Sequence, residues 1–332
     1  MDGVHAFLDS TFPTTTPNFQ RAFDGILNEV GQQSLFQGPY YRVGLPFQKG
    51  SAGQNFFPRS ETQFPPHLHQ EQAWSRLRTE AKQSTLVATG TGSGKTECFL
   101  YPILDHILNN PSERGIKAII LYPMNALATD QARRFAEEIN RNTATKDKVR
   151  VGLYVGGKSN ESESMTAESV ITNRDEMKRN PPDILMTNYK MLDYLLIRPD
   201  DLGLWSANTS ESLSYLVVDE LHTFDGAQGS DLACLIRRLK ARLKTPKAHL
   251  CCVGTSATMG NDSGQGSMIQ FAENIFGESF GEAQQAIITE NRITPAAHIG
   301  LDRVESRWTE PPAPEDFDAL MPSNYSTIEA YI

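Results

Sequence analysis

Three features of this 332-residue chain predict an α/β fold: a mostly parallel β-sheet with helices on both faces. First, strand-like and helix-like runs alternate from about residue 61 to residue 260. Second, strand-like runs such as Lys117-Ala118-Ile119-Ile120-Leu121-Tyr122 and Tyr215-Leu216-Val217-Val218 are almost wholly apolar, as strands covered on both faces are. Third, one of these runs leads into a glycine-rich loop and then an amphipathic run, the order strand, phosphate loop, helix.

In chain order, residues 1–60 mix Pro, Gly, Ser and aromatic residues and read as an N-terminal accessory segment. Within it, Phe19, Phe23, Ile26, Leu27 and Val30 recur at helical spacing, with Asn18 as a candidate cap, and residues 38–47 read as extended chain. The α/β domain is expected at 61–260, with strands at 84–89, 117–123, 149–155, 183–188, 213–219 and 248–255. Helices are expected between them at 95–109, 125–142, 189–197 and 225–243. Residues 260–266 form a Gly-, Asn- and Ser-containing break, followed by a helix at 267–276 and a strand at 286–293. An acidic stretch with Pro311, Pro312 and Pro314 completes a partial C-terminal extension over 261–332.

The loop Ala88-Thr89-Gly90-Thr91-Gly92-Ser93-Gly94-Lys95-Thr96 carries the clearest chemistry. It turns several backbone N–H groups toward one point at the positive end of a helix dipole, where a triphosphate is the natural occupant. Thr91, Gly92, Ser93, Gly94, Lys95 and Thr96 are the candidate phosphate-binding residues. Lys95 would reach the β- and γ-phosphates, and the Thr96 hydroxyl would ligate Mg²⁺. Thr89 stands where the strict pattern has glycine.

A second signal is Val217-Val218-Asp219-Glu220-Leu221-His222, a hydrophobic strand ending in two carboxylates. In a parallel sheet, ligands bind at the carboxyl ends of strands. That places Asp219 where it can hold Mg²⁺, mostly through water, and Glu220 where it can orient or activate a water. Lys95, Asp219 and Glu220 are therefore the candidate catalytic residues, with ATP and Mg²⁺ as the expected ligands.

Composition sets the outer limits. A hydrophobic content of 39% and a charged content of 21% describe a globular chain with a sizeable core. No apolar run approaches the ~20 residues of a membrane span, and the first residues lack signal-peptide character, so a cytoplasmic protein without a membrane partner is expected. Cys98, Cys234, Cys251 and Cys252 show no C-x-x-C spacing and read as reduced core residues. The net charge of −9 belongs wholly to residues 261–332, which hold twelve Asp/Glu against three Arg. The acidic balance therefore does not exclude a local basic groove for nucleic acid in the neutral remainder.

Together the motifs resemble the superfamily 2 DExH/DEAD-box helicases over roughly residues 61–260. Asp219-Glu220-Leu221-His222 resembles the DExH box, and His69-Gln70 resembles the glutamine motif. The resemblance implies that the Gln70 amide pairs with the adenine edge. Tyr122-Pro123-Met124-Asn125-Ala126-Leu127 resembles motif Ia, Gly156-Gly157 the glycine doublet and Thr187-Asn188 motif Ib. By the same resemblance Pro123, Asn125, Gly156, Gly157, Thr187 and Asn188 touch a nucleic-acid backbone, DNA being favoured over RNA. Ser256-Ala257-Thr258 resembles motif III, so His222, Ser256 and Thr258 are expected to couple the ATP site to that groove. The segments look most like large bacterial Hrq/MrfA-like repair helicases or antiphage-defence helicases.

The resemblance implies a RecA-like P-loop NTPase domain with ATP lying between it and a second RecA-like domain or subunit. The second domain's motif Q-x-x-G-R-x-G-R occurs nowhere in this chain. The chain is thus expected to supply one half of an ATP-dependent helicase or translocase and to hydrolyse ATP poorly alone. Two alternatives stand beside this reading: a non-enzymatic nucleic-acid or partner-binding module with an idle ATP site, and the motor part of a restriction or defence translocase.

Overall fold

The computed structural model describes residues 16–27, 45–60, 62, 64–156, 162–257 and 265–293. The chain divides into two units between Leu45 and Pro46. In the first, helix α1 (Pro17–Leu27) forms over most of the helix expected at 18–30; residues 28–30 lie outside the described residues.

The second unit holds the sheet. Its strands are β1 (Thr85–Ala88), β2 (Ala118–Tyr122), β3 (Val151–Tyr154), β4 (Ile184–Asn188), β5 (Tyr215–Val218), β6 (Cys251–Ser256) and β7 (Ile287–Thr289). They form one seven-stranded sheet in the order β3-β4-β2-β5-β6-β1-β7, and every pairing is parallel. The expected α/β class is therefore observed. The helices of this unit are α2 (Leu68–Leu77), α3 (Lys95–Asn109), α4 (Asn125–Arg141), α5 (Arg174–Arg179), α6 (Tyr189–Ile197), α7 (Gly226–Leu243), α8 (Gln265–Phe276) and the short α9 (Ala283–Ala286).

Side-chain alternation along each strand feeds two separate cores, one on each face. Ile119, Leu121, Leu216 and Val218 pack with α6, α7 and α8 through residues such as Leu192, Leu235 and Ile275. Ile120, Val217, Val87 and Val253 pack on the other face with α2, α3 and α4 through Trp74, Phe99 and Phe135. Three cysteines, Cys98, Cys251 and Cys252, are buried in these cores; Cys234 is exposed on α7, which corrects its expected core position. Its place in an apolar run was no guide, because α7 turns only one face inward.

Two features extend the unit beyond residues 61–260. Phe57 is buried beside Trp74, their ring centroids 5.3 Å apart. Strand β7 pairs with β1 on its free edge, so residues 265–293 add this strand and the helices α8 and α9 to the same unit. The strand expected at 286–293 is shorter, because α9 ends at Ala286 and β7 stops at Thr289.

Since all strands run the same way, their carboxyl ends share one edge. The segments after β1, β2, β3, β4, β5 and β6 all open there, which gathers the sequence motifs in one place. The opposite edge carries a buried ion pair. Lys117 Nζ lies 2.7 Å from Asp183 Oδ1, and Asp183 Oδ2 accepts the Arg150 N–H at 2.7 Å. Removing one partner of a buried pair strands the other. Asp183→Ala should therefore lower the unfolding free energy by about 3 kcal/mol, measured by urea denaturation. A loss no larger than that of an exposed pair would show that Lys117 finds water instead.

Candidate nucleotide site at the carboxyl edge of the sheet

The loop from Thr89 to Gly94 leaves β1 and enters α3 at Lys95. Gly92 and Gly94 take left-handed conformations, with φ of 77° and 81°, that L side chains rarely adopt. Gly94 is constrained twice, since a Cβ there would meet Gln70 Nε2 at 2.3 Å. The loop is held by side chains from several directions. Thr89 Oγ1 meets Ser93 Oγ at 2.7 Å, a staple across the loop that glycine at 89 could not make. The departure from the strict loop pattern thus has a structural role. From α2, the buried His69 bonds through Nε2 to the Ser93 carbonyl at 2.8 Å, and Gln70 Nε2 donates to the Gly94 carbonyl at 3.2 Å. Burial is the main cause that lowers the His69 pKa, so the ring is neutral and Nε2–H donates to that carbonyl.

The acid pair follows β5. Strand β6 lies between β5 and β1, yet the two motifs meet: Lys95 Nζ is 3.3 Å from Glu220 Oε1. The residue that arranges the pair is Thr255 of β6. Its hydroxyl donates to Asp219 Oδ1 and accepts the Glu220 N–H at 3.0 Å. Glu220 itself is left-handed, with φ 50°, an uncommon conformation for a residue with a Cβ that costs about 1–2 kcal/mol. Glu220 Oε2 is buried without a hydrogen-bond partner, 3.4 Å from His222 Nδ1. Ser256 Oγ in turn meets His222 Nδ1 at 3.2 Å. Burial raises the Asp219 carboxyl above the usual aspartate range, opposed by the Thr255 hydroxyl, and the neighbouring Glu220 adds to the rise.

Thr96, the second residue of α3, donates its hydroxyl to Gln131 Oε1 at 3.2 Å and keeps its oxygen lone pairs. The carboxyl edge thus carries one hydroxyl with oxygen lone pairs to spare, one desolvated carboxylate and one carboxylate oxygen without a hydrogen bond. That set suits a hard cation sharing its shell with phosphate oxygens and water. Among the described residues, no three His, Cys, Asp or Glu side chains gather as a protein-only metal centre.

Four of the residues expected on a nucleic-acid groove do line one cleft. Pro123, Asn125, Gly156 and Asn188, with Tyr189 and Lys190, border a space of about 390 Å³. Asn188 Nδ2 donates to Asn125 Oδ1, and Asn188 Oδ1 caps α6 by accepting the Met191 N–H at 2.8 Å. The N-termini of α4 and α6 both open on this cleft, presenting the positive ends of their dipoles. Thr187 is a correction: it is fully buried, and its hydroxyl donates to the Tyr154 carbonyl at 2.6 Å, so it does not reach the cleft. Gly157 and Thr258 lie outside the described residues.

Sequence reasoning missed Thr255, His69 and Gln131. Thr255 stands directly before Ser256, and its signal was the same strand-end hydroxyl chemistry. His69 was in the quoted glutamine segment. Gln131 lies two turns into α4 and had no local signal.

Comparison with known proteins agrees with this geometry. The DEAD/DEAH box helicase family matches residues 67–265. The Druantia protein DruE of Escherichia coli (strain UMEA 4076-1) is 30% identical over 312 residues, covering 64% of this chain and 17% of that protein. The crystal structure of the DUF1998 helicase MrfA bound to DNA superposes with a TM-score of 0.52 at 27% identity, covering 69% of this chain and 28% of the other. MrfA bound to DNA and AMPPNP gives 0.51 at 26% identity, covering 68% and 27%. This chain thus spans less than a third of the length of each. It belongs to the DEAD/DEAH box helicase family, whose ATP-dependent members it resembles.

The Asp219 shift has a consequence for stability. A carboxyl whose folded pKa is raised contributes its stability below the ordinary aspartate value and loses it as pH rises through the raised value. At neutral pH the ionised Asp219 is therefore a net cost. Asp219→Asn, which keeps an acceptor for Thr255, should melt at or above the wild-type temperature at pH 7 without nucleotide. The difference should vanish below about pH 4. Lower stability of this variant at pH 7 would mean that the carboxylate charge is compensated.

Proposed function

We propose, on the premise of that family membership, that this chain is the ATP-binding half of a nucleic-acid helicase or translocase. The observation that carries the reading is the meeting of the phosphate loop and the acid pair, Lys95 to Glu220 at 3.3 Å. In this proposal the loop N–H groups from Thr91 to Thr96 and the Lys95 ammonium hold the phosphates of ATP. Lys95 then exchanges Glu220 for a phosphate oxygen, which frees the Glu220 carboxylate to orient the attacking water and accept its proton. Thr96 and Asp219 would hold Mg²⁺, which when bound supplies charge neutralisation at the phosphate oxygens. Gln70 keeps one N–H and one carbonyl lone pair beyond its bonds to Gly94 and to the His67 N–H, enough for a two-point contact with adenine.

The same proposal assigns the cleft of Pro123, Asn125, Gly156 and Asn188 to a nucleic-acid backbone. Support comes from the two helix N-termini and Lys190, and from MrfA, whose crystal structure is a complex with DNA. DNA is therefore favoured over RNA. The proposed coupling of the ATP site to that cleft runs through His222 and Ser256, whose Nδ1 and Oγ lie 3.2 Å apart. The proposed ATP-binding domain, expected over 61–260, also takes in residues 46–60 and 265–293, since Phe57 joins its core and β7 its sheet; its partner is a second RecA-like domain. A partner arginine from that domain is worth about 10³–10⁵ in rate in related enzymes, so this chain alone hydrolyses ATP slowly. Among the described residues no helix is long and apolar enough to cross a membrane, and a cytoplasmic site of action fits the reading.

Lys95→Ala tests the assignment. It should abolish ATP binding by calorimetry while leaving the melting temperature within a few degrees, because Lys95 is a partly exposed side chain at a loop end. Unchanged ATP affinity would overturn the phosphate-loop reading.

A further inference from the structure

One contact on the phosphate loop comes from a residue that no motif contains. Glu290, the first residue after β7, accepts the Gly90 N–H through Oε2 at 2.7 Å. The approach is close enough that a Cβ on Gly90 would lie 3.0 Å from Glu290 Oε2. A carboxylate beside a site built for phosphates would ordinarily repel the ligand. Here it is paired: Arg292 Nε lies 2.8 Å from Glu290 Oε1. The Arg292 guanidinium in turn lies over the Phe47 ring, 4.3 Å from its centroid, and the same ring contacts His69 edge-on at 5.4 Å.

The backbone around this group is clasped. Gln48 N–H donates to the Asn291 carbonyl at 2.8 Å and Ile293 N–H to the Pro46 carbonyl at 2.9 Å, making an antiparallel bridge of Phe47 with Arg292. On its other side the segment bonds to α2, with Leu68 N–H donating to the Gln48 carbonyl at 2.8 Å. Residues 46–48, the start of α2 and residues 290–293 therefore form one layer against the loop. From it His69 holds Ser93, Gln70 holds Gly94 and Glu290 holds Gly90. The first two fix the limb that enters α3; Glu290 fixes the limb that leaves β1.

We propose that Glu290 is a positioning residue for the phosphate loop, fixing its first limb through the Gly90 N–H and tying it to the segment that leaves the sheet. The inference rests on the ATP site proposed above. Its physical content is preorganisation: a loop held open at both limbs meets the phosphates without an ordering cost, and a charge-assisted hydrogen bond is the strong kind. Arg292 keeps the carboxylate charge from opposing the ligand.

The test measures ATP affinity of the 332-residue chain by calorimetry for four variants, with melting temperature measured in parallel. Glu290→Ala should weaken ATP binding about tenfold with little change in melting temperature. Glu290→Gln, which keeps an acceptor for Gly90 but loses the ion pair to Arg292, should recover most of that affinity. Arg292→Ala, which leaves the Glu290 charge unpaired beside the phosphates, should also weaken binding. Lys95→Ala serves as the reference for the site itself. If Lys95→Ala abolishes binding while Glu290→Ala stays within twofold of wild type, the positioning role is wrong and the site stands. If Glu290→Ala binds ATP more tightly, Glu290 is a competing anion and the role is again wrong. If Lys95→Ala leaves binding unchanged, the site itself fails. Should Glu290→Ala not fold, the Glu290→Gln and Arg292→Ala pair decides: wild-type affinity in Arg292→Ala overturns the arrangement.

Discussion

An ion pair at the carboxyl edge of the sheet, Lys95 with Glu220, is the interaction on which the functional reading of this structure depends. The two residues are 125 positions apart and grow from strands that are not neighbours. They meet because every strand runs the same way, so that loops after β1 and β5 emerge on one edge, and because β6 places Thr255 between them. Parallel sheets buried on both faces enforce this geometry, since neither strand can shift register without moving its side chains to the wrong core. The two cores are thus the foundation that fixes the site.

The site is arranged at some expense to the fold. Asp219 is buried enough that its charged form is disfavoured, Glu220 is held in a left-handed turn, and one oxygen of Glu220 is desolvated without a partner. Each lowers stability, and each prepares a group for charge or proton chemistry. The compensation is local. Thr255 bonds both acids, Ser256 meets His222, and the phosphate loop is stapled at Thr89, Ser93 and Gly94. A rigid loop and a strained acid pair are what a site needs if it is to act on an incoming ligand rather than reorganise around it.

The α/β class, all seven strands of the sheet and most of the long helices were legible in the sequence, because apolar runs and their periodicity are local signals. The phosphate loop and the acid pair were legible for the same reason. Strand order was not, since it depends on which faces bury against which helices. Helix α2 went unrecognised: it is stabilised by its contacts, with Trp74 and Leu77 packed in the core, more than by a strong apolar period. Thr187 was misread because turn chemistry does not say which way a hydroxyl points; it bonds Tyr154 inside the sheet. Cys234 was misread because helix α7 exposes one face of an apolar run. Glu290 had no signal at all, since its partner Gly90 is 200 residues away.

The most direct measurement of the central claim is a crystal structure of this chain with a non-hydrolysable ATP analogue and Mg²⁺. The account predicts the terminal phosphates among the N–H groups of the loop, Lys95 turned from Glu220 to a phosphate oxygen, and the metal between Thr96 and Asp219. A nucleotide bound elsewhere, or one bound at the loop with the Lys95–Glu220 pair still closed, would contradict it.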